Sequence, residues 1–149
     1  MVPQNQLIAF TLDERRFAIS LDSVLRVIPA LEVTFLPQAP RYVVGAINVE
    51  GRIFQVLNVR KMCGVPERDI EADDQFILIH ASGRFCALPV DGTAVIECDP
   101  STLAPADTLH GQTALLRGAL RCPDGLILLC QVDGLLKAAY GREIAGVLA

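Results

Sequence analysis

Apolar and polar side chains alternate with period two through most of this chain. Gln6-Leu7-Ile8-Ala9-Phe10-Thr11-Leu12 reads as a strand, Asp13-Glu14-Arg15 as a polar turn, and Phe17-Ala18-Ile19-Ser20-Leu21 as the partner strand of a hairpin. Val24–Ile28 is again strand-like, and Pro29 ends it because proline cannot donate to a ladder. After Pro37-Gln38-Ala39-Pro40, the segment Arg41–Val44 predicts one helical turn. Two strands follow, Gly45–Val49 and Arg52–Val59, joined across Glu50-Gly51, where glycine supplies the positive φ of a two-residue hairpin turn.

Pro66–Asp74 carries six charges in nine residues and reads as a solvated link. Strand patterns resume at Gln75–His80 and Phe85–Val90. Pro100–Pro105 predicts a loop with one helical turn, and Asp133–Tyr140 a terminal helix with Asp133 as N-cap and Gly141 as its end.

The second half echoes the first. Arg15–Asp22 lies over Arg84–Asp91 at an offset of 69, with Arg, Ala and Asp coinciding. GAINVEGRIFQVLNV, starting at Gly45, lies over GALRCPDGLILLCQV, starting at Gly118, at an offset of 73 without a gap. The same two pieces recur in the same order, which points to duplicated modules. The chain therefore predicts two small all-β units, about residues 6–65 and 75–132, with a helix at about 133–140. Closed barrels are one way for such units to remove exposed strand edges.

Composition narrows the function. The chain has 149 residues, 52% of them hydrophobic, with a mean hydropathy of +0.41, yet no apolar run approaches the roughly 20 residues of a membrane span. The start, MVPQNQ, lacks the features of a signal peptide, so a cytoplasmic location is expected and membrane insertion is not. Net charge is −4, tryptophan is absent and no basic stripe exists, which argues against nucleic-acid binding. Five cysteines without metal or redox spacing read as reduced and structural, three of them (Cys86, Cys98, Cys130) within strand-like runs.

Catalytic patterns are missing from the sequence. His80 and His110 are far apart, and nothing in the spacing supports a dyad of either with Cys63. Asp73-Asp74 sits in the charged link and reads as solvated. No cofactor or metal is expected.

Several pieces in order resemble the CheW-like domain, the coupling module of bacterial chemotaxis. They are Phe10–Ile19, Leu36–Gly45, Ile47–Ile53, Val56–Arg60 and Leu88–Gly92, and together they span about residues 6–136. The resemblance implies one domain over residues 1–149, built from two five-stranded SH3-like barrels on a shared core. It implies a non-enzymatic adaptor that couples chemoreceptors to a CheA-type histidine kinase. The cleft between barrels would receive the receptor's helical tip, and other faces the kinase's regulatory domain. It also admits self-association, and recruitment to membrane-anchored receptor arrays.

The departures from the family pattern carry information. The family writes V-x-E in the third strand and N-[LI]-R-G in the hairpin; this chain has Val24-Leu25-Arg26 and Asn48-Val49-Glu50-Gly51. Acid and base have changed places, so Arg26 and Glu50 are expected to face each other across neighbouring strands, since opposite charges favour pairing and like charges oppose it. The docking surface is expected to use Val24, Val49, Leu88 and Val90 as apolar anchors, with Arg26, Glu50 and Asp91 at the rim and Asn48 and Gly51 shaping the tip. These departures, with Gln55, Asn58, Cys63 and Gln131 at other family positions, favour a divergent coupling protein for pili or another output over the flagellar form. The alternative is a small-molecule sensor, which would need a pocket of about 300 Å3 with convergent polar groups. Two small barrels filled by side chains are expected to leave no such room.

Overall fold

The structure is a computed structural model that describes residues 6–105, 115–123 and 125–148, with the backbone alone at position 100 and at 142–148. Among the described residues, twelve strands and two α-helices follow in order. They are β1 Gln6–Leu12, β2 Arg15–Ser20, β3 Val24–Pro29, β4 Thr34–Phe35, β5 Val43–Val49, β6 Arg52–Leu57, α1 Val59–Met62, β7 Gln75–Ala81, β8 Arg84–Val90, β9 Gly92–Glu97, β10 Leu103–Pro105, β11 Leu116–Cys122, β12 Gly125–Cys130 and α2 Val132–Leu148. Most boundaries fall within a residue or two of the alternation.

Three local readings need correction. Arg41-Tyr42 forms a turn, and the expected helical residues Val43 and Val44 already belong to β5. The run expected to stay extended to Val59 bends after Leu57, because Asn58 accepts the Lys61 N–H on its side-chain oxygen (3.1 Å) and caps α1. Helix α2 begins at Val132, so Asp133 lies in its first turn, and Gly141 kinks the helix without ending it.

The strands form two sheets of six, ordered β10-β11-β12-β2-β1-β9 (sheet A) and β3-β7-β8-β6-β5-β4 (sheet B). The short β4 and β10, at sheet edges, are the additions to the expected five per barrel. The architecture is the anticipated all-β pair with few helices. The division of the chain is different: the sheets do not separate at the charged link. β1 and β2 leave the first half to join β9–β12, while β7 and β8 of the second half join β3–β6. The boundaries 6–65 and 75–132 are therefore wrong as barrel limits. Periodicity identifies hairpins but says nothing about which hairpin each will pair with.

This exchange follows the internal repeat. In sheet B, Gln55 pairs with Cys86 and Val56 with Ala87, in parallel; in sheet A, Leu128 pairs with Phe17 and Leu129 with Ala18, also in parallel. The sequence offsets of 73 and 69 carry one set onto the other. Each barrel thus joins the first hairpin of one module to the second hairpin of the other. The matched glycines obey the same rule. A Cβ at Gly45 would stand 2.3 Å from the Thr34 carbonyl oxygen, and one at Gly118 would stand 2.3 Å from that of Ala104. Only glycine lets β4 and β10 come this close.

Strand β7 is covered on both sides. In β7, Ile77 and Ile79 enter the core shared by the two sheets, while Phe76 and Leu78 fill the interior of sheet B. That is why Phe76–Ile79 is a continuous apolar run and not an alternating one. The shared core joins Phe10, Leu12 and Ile19 of sheet A, Ile77 and Leu88 of sheet B, and Leu135 and Leu136 of α2. Helix α2 leaves sheet A yet anchors on sheet B: the Tyr140 hydroxyl donates to Gln55 Oε1, and Arg84 stacks 3.6 Å from the Tyr140 ring centroid.

Candidate docking surface

The β5–β6 hairpin ends in Glu50 (φ 52°) and Gly51 (φ 89°), two successive left-handed residues that make the tight turn expected there. Asn48 holds the turn by accepting the Gly51 N–H on Oδ1 at 2.9 Å. Opposite, β3 slips register between Val24 and Arg26, and this bulge sets the direction of the arginine. Arg26 Nη2 reaches Glu50 Oε1 at 3.0 Å, with the two side chains 47% and 78% exposed.

The pairing expected from the sequence is therefore present, but its geometry differs. β3 and β5 are not neighbours: β7, β8 and β6 lie between them in the sheet. The ion pair spans the mouth of a curled sheet, not one ladder. Beneath it lies a groove of about 310 Å3 whose floor includes Val49, Phe54 and Leu78. Exposed Leu25 adds to its apolar lining. Arg52, at the base of the hairpin, stacks its guanidinium 4.1 Å from the Phe85 ring centroid.

Of the expected anchors, Val49 stays at this rim and the others separate from it. Val24 is half-buried against the shared core, and Val49 is half-buried against the sheet B interior. Leu88 and Val90 do share a strand face, but it is the inner one: they are 0% and 1% exposed and belong to the shared core. They are not available as surface anchors.

Asp91 belongs to a second cluster. Its Oδ1 accepts from Arg60 (2.7 Å) and Arg68 (2.6 Å), and its Oδ2 accepts the Asp13 N–H (2.8 Å). Arg60, almost wholly buried, also binds Asp13 Oδ1 at 2.9 Å. Arg68 grips Asp74 through two bonds of 2.8 Å. The Arg68 hydrogen bonds and the Glu71 N–H hold the Asp74 carboxyl below its ordinary range against the opposing effect of burial. This network ties the β1–β2 turn to α1, to the end of β8 and to the charged link. The link is consequently a strap fastened by Arg68 and Asp74, with Ile70 packed on the sheet B interior, and not merely solvated chain. Sequence reading missed Arg60, Arg68, Asp13 and Asp74. The one signal was an arginine closing an apolar run at Arg60.

A cleft of about 390 Å3 lies under the strap, contrary to the expectation that no such room exists. It lies outside both barrel interiors, and Arg60, Arg68, Asp74 and Asp91, which line it, are bonded to one another. Of the candidate chemical groups, His80 is exposed and stacks on Phe85 at 4.1 Å. His110 lies outside the described residues.

The sequence model of the CheW-like domain matches residues 6–140. The chain belongs to the CheW-like family. Among CheW relatives, the chemotaxis protein CheW of Treponema pallidum is 30% identical over 151 residues, covering 97% of this chain and 89% of that protein. The chemotaxis protein CheW of Helicobacter pylori is 23% identical over 137 residues, covering 91% and 83%. The crystal structure of the scaffolding protein TtCheW from Thermoanaerobacter tengcongensis superposes with a TM-score of 0.79 at 24% identity, over 89% of this chain and 92% of that one. This likeness shows that the pair of barrels is the CheW fold.

Proposed function

We propose that this chain is a non-enzymatic adaptor that couples chemoreceptors to a CheA-type histidine kinase in a chemosensory pathway. It would act in the cytoplasm, at receptor arrays anchored in the membrane. The observation that carries the reading is the Arg26–Glu50 pair, exposed over an apolar floor at the mouth of sheet B in a chain of this family. An exposed pair adds only about 0–1 kcal/mol to stability. Its larger effect is on association, where charge pattern steers encounter and excludes wrong partners. The polarity is the reverse of the family pattern, which suits a kinase regulatory domain or receptor tip whose own charges are exchanged, in a pathway separate from the flagellar one.

The test is titration calorimetry of the purified chain against the regulatory domain of a CheA-type kinase, and against a receptor's helical tip, from the same organism. Binding in the micromolar range is expected, with a loss of about tenfold or more, or roughly 1.4 kcal/mol, for Glu50→Arg against whichever partner uses this rim. Failure of every such kinase and receptor in the organism to bind refutes the adaptor reading. Binding that ignores Glu50→Arg moves the docking surface elsewhere.

A further inference from the structure

The barrel formed by sheet B, barrel B, carries at its mouth a stack of three side chains beside the Arg26–Glu50 pair. Arg52 of β6, Phe85 of β8 and His80 of β7 each lie two residues from a side chain of the barrel interior, respectively Phe54, Ala87 and Leu78. Period two puts all three on the interior face of the sheet. His80 stacks on Phe85 with ring centroids 4.1 Å apart and planes 10° from parallel. The Arg52 guanidinium lies 4.1 Å from the same Phe85 centroid. One ring face cannot hold both groups at that distance, so imidazole and guanidinium cover opposite faces. Phe54, in the floor of the groove, meets Phe85 at 81° with centroids 5.6 Å apart.

Arg52 and His80 are exposed, and Phe85 is half-buried. The stack thus fixes an arginine at the surface. A guanidinium laid flat on an aromatic face leaves its N–H edge open to a carboxylate. Arg26 already has Glu50. Among the described residues, no carboxylate pairs with Arg52. Arg52 is the uncompensated cation of this rim, in a chain whose net charge is −4. It also lines the groove of about 310 Å3 beside Val49 and Leu78.

We infer that Arg52 determines specificity at this rim, and that the partner docks a protein segment in which a carboxylate flanks a bulky apolar side chain. The apolar side chain fills the groove against Val49, Phe54 and Leu78, and the carboxylate accepts two N–H bonds from the edge of the Arg52 guanidinium. The inference rests on the adaptor reading for the place of docking and adds what the partner must carry. Phe85 and His80 are positioning residues: they hold the guanidinium before binding, so less side-chain freedom is lost on association. Glu50, two residues away, has the opposite sign. The rim therefore selects an acid at Arg52 and favours a base at Glu50.

The test is calorimetry of the full chain against the kinase regulatory domain and the receptor tip from the same organism, with Arg52→Glu and Arg52→Lys beside the natural chain. Thermal melting checks that both variants fold, as expected for an exposed position. Arg52→Glu should weaken binding to the partner that uses this rim by about tenfold or more. Arg52→Lys keeps the charge but has neither the plane nor the fork, and should weaken it by about threefold or more. Reversing the partner's acids to lysine one at a time should find one that restores binding to Arg52→Glu and weakens binding to the natural chain. The inference is overturned if Arg52→Glu binds each partner within about twofold of the natural chain, if lysine serves as well as arginine, or if no reversal on the partner restores binding. In those cases the adaptor reading stands; if neither partner binds the natural chain, both fall.

Discussion

Arg26 and Glu50 meet at 3.0 Å although three strands separate β3 from β5 in their sheet. The contact exists because the sheet curls until the bulged β3 faces the β5–β6 tip. A thermodynamic cycle over Arg26→Glu, Glu50→Arg and the double exchange should show each single change destabilising the fold by less than about 1 kcal/mol, with the double exchange recovering most of it. Urea denaturation reads this directly. Single variants as stable as the starting chain would mean that the pair contributes nothing to folding.

Leu88 and Val90 make the opposite case. Both are buried in the shared core, so Leu88→Ala should cost about 2–5 kcal/mol and Val90→Ala somewhat less. Where these variants remain folded, the affinity for partners should be unchanged. A variant with native stability and lost binding would return them to the docking surface.

Acid should loosen the strap. The Asp74 carboxyl is depressed by Arg68, so near its unfolded pKa, 3.8, the unfolded chain binds more protons than the folded one. Stability from this group is complete above about pH 5 and is lost as pH falls through the folded pKa. Asp74→Asn should therefore be less stable than the natural chain at pH 7, and the gap should narrow as pH falls below 4. Denaturant midpoints across that range check the sign; a gap constant with pH would remove the linkage.

Gly45→Ala and Gly118→Ala should behave as a matched pair. Each added methyl meets a carbonyl oxygen at 2.3 Å, one in β4 and the other in β10. A loss of about 1–3 kcal/mol is expected in both, with faster amide exchange confined to the edge strand that is pushed away. Alanine tolerated at one site and not at the other would break the equivalence of the two halves.

How much of this was legible follows from what periodicity encodes. Alternation marked β1 and β2, and short apolar runs marked β7 and β8, because each hairpin needs its pattern locally. It also placed Leu88 and Val90 on a common face, but both faces of β8 are covered, and the side chosen is a tertiary fact. The charge exchange at Arg26 and Glu50 identified a contact between segments that no ladder connects. Arg60 could not be recognised as buried, because its partners Asp13 and Asp91 come from distant parts of the chain. Asp74 resembled any other acid in a polar stretch until Arg68 was seen to fold back on it.

The interleaving of the two sheets has a consequence for synthesis. Barrel B is made of one unbroken stretch, β3 to β8, and can close while the rest of the chain is still emerging. The β1–β2 hairpin finds its lateral neighbours only in β9 and β12, which are made after barrel B. Until then Gln6–Ser20 hangs from a finished barrel with both edges open, ready to pair with the same hairpin of another nascent chain.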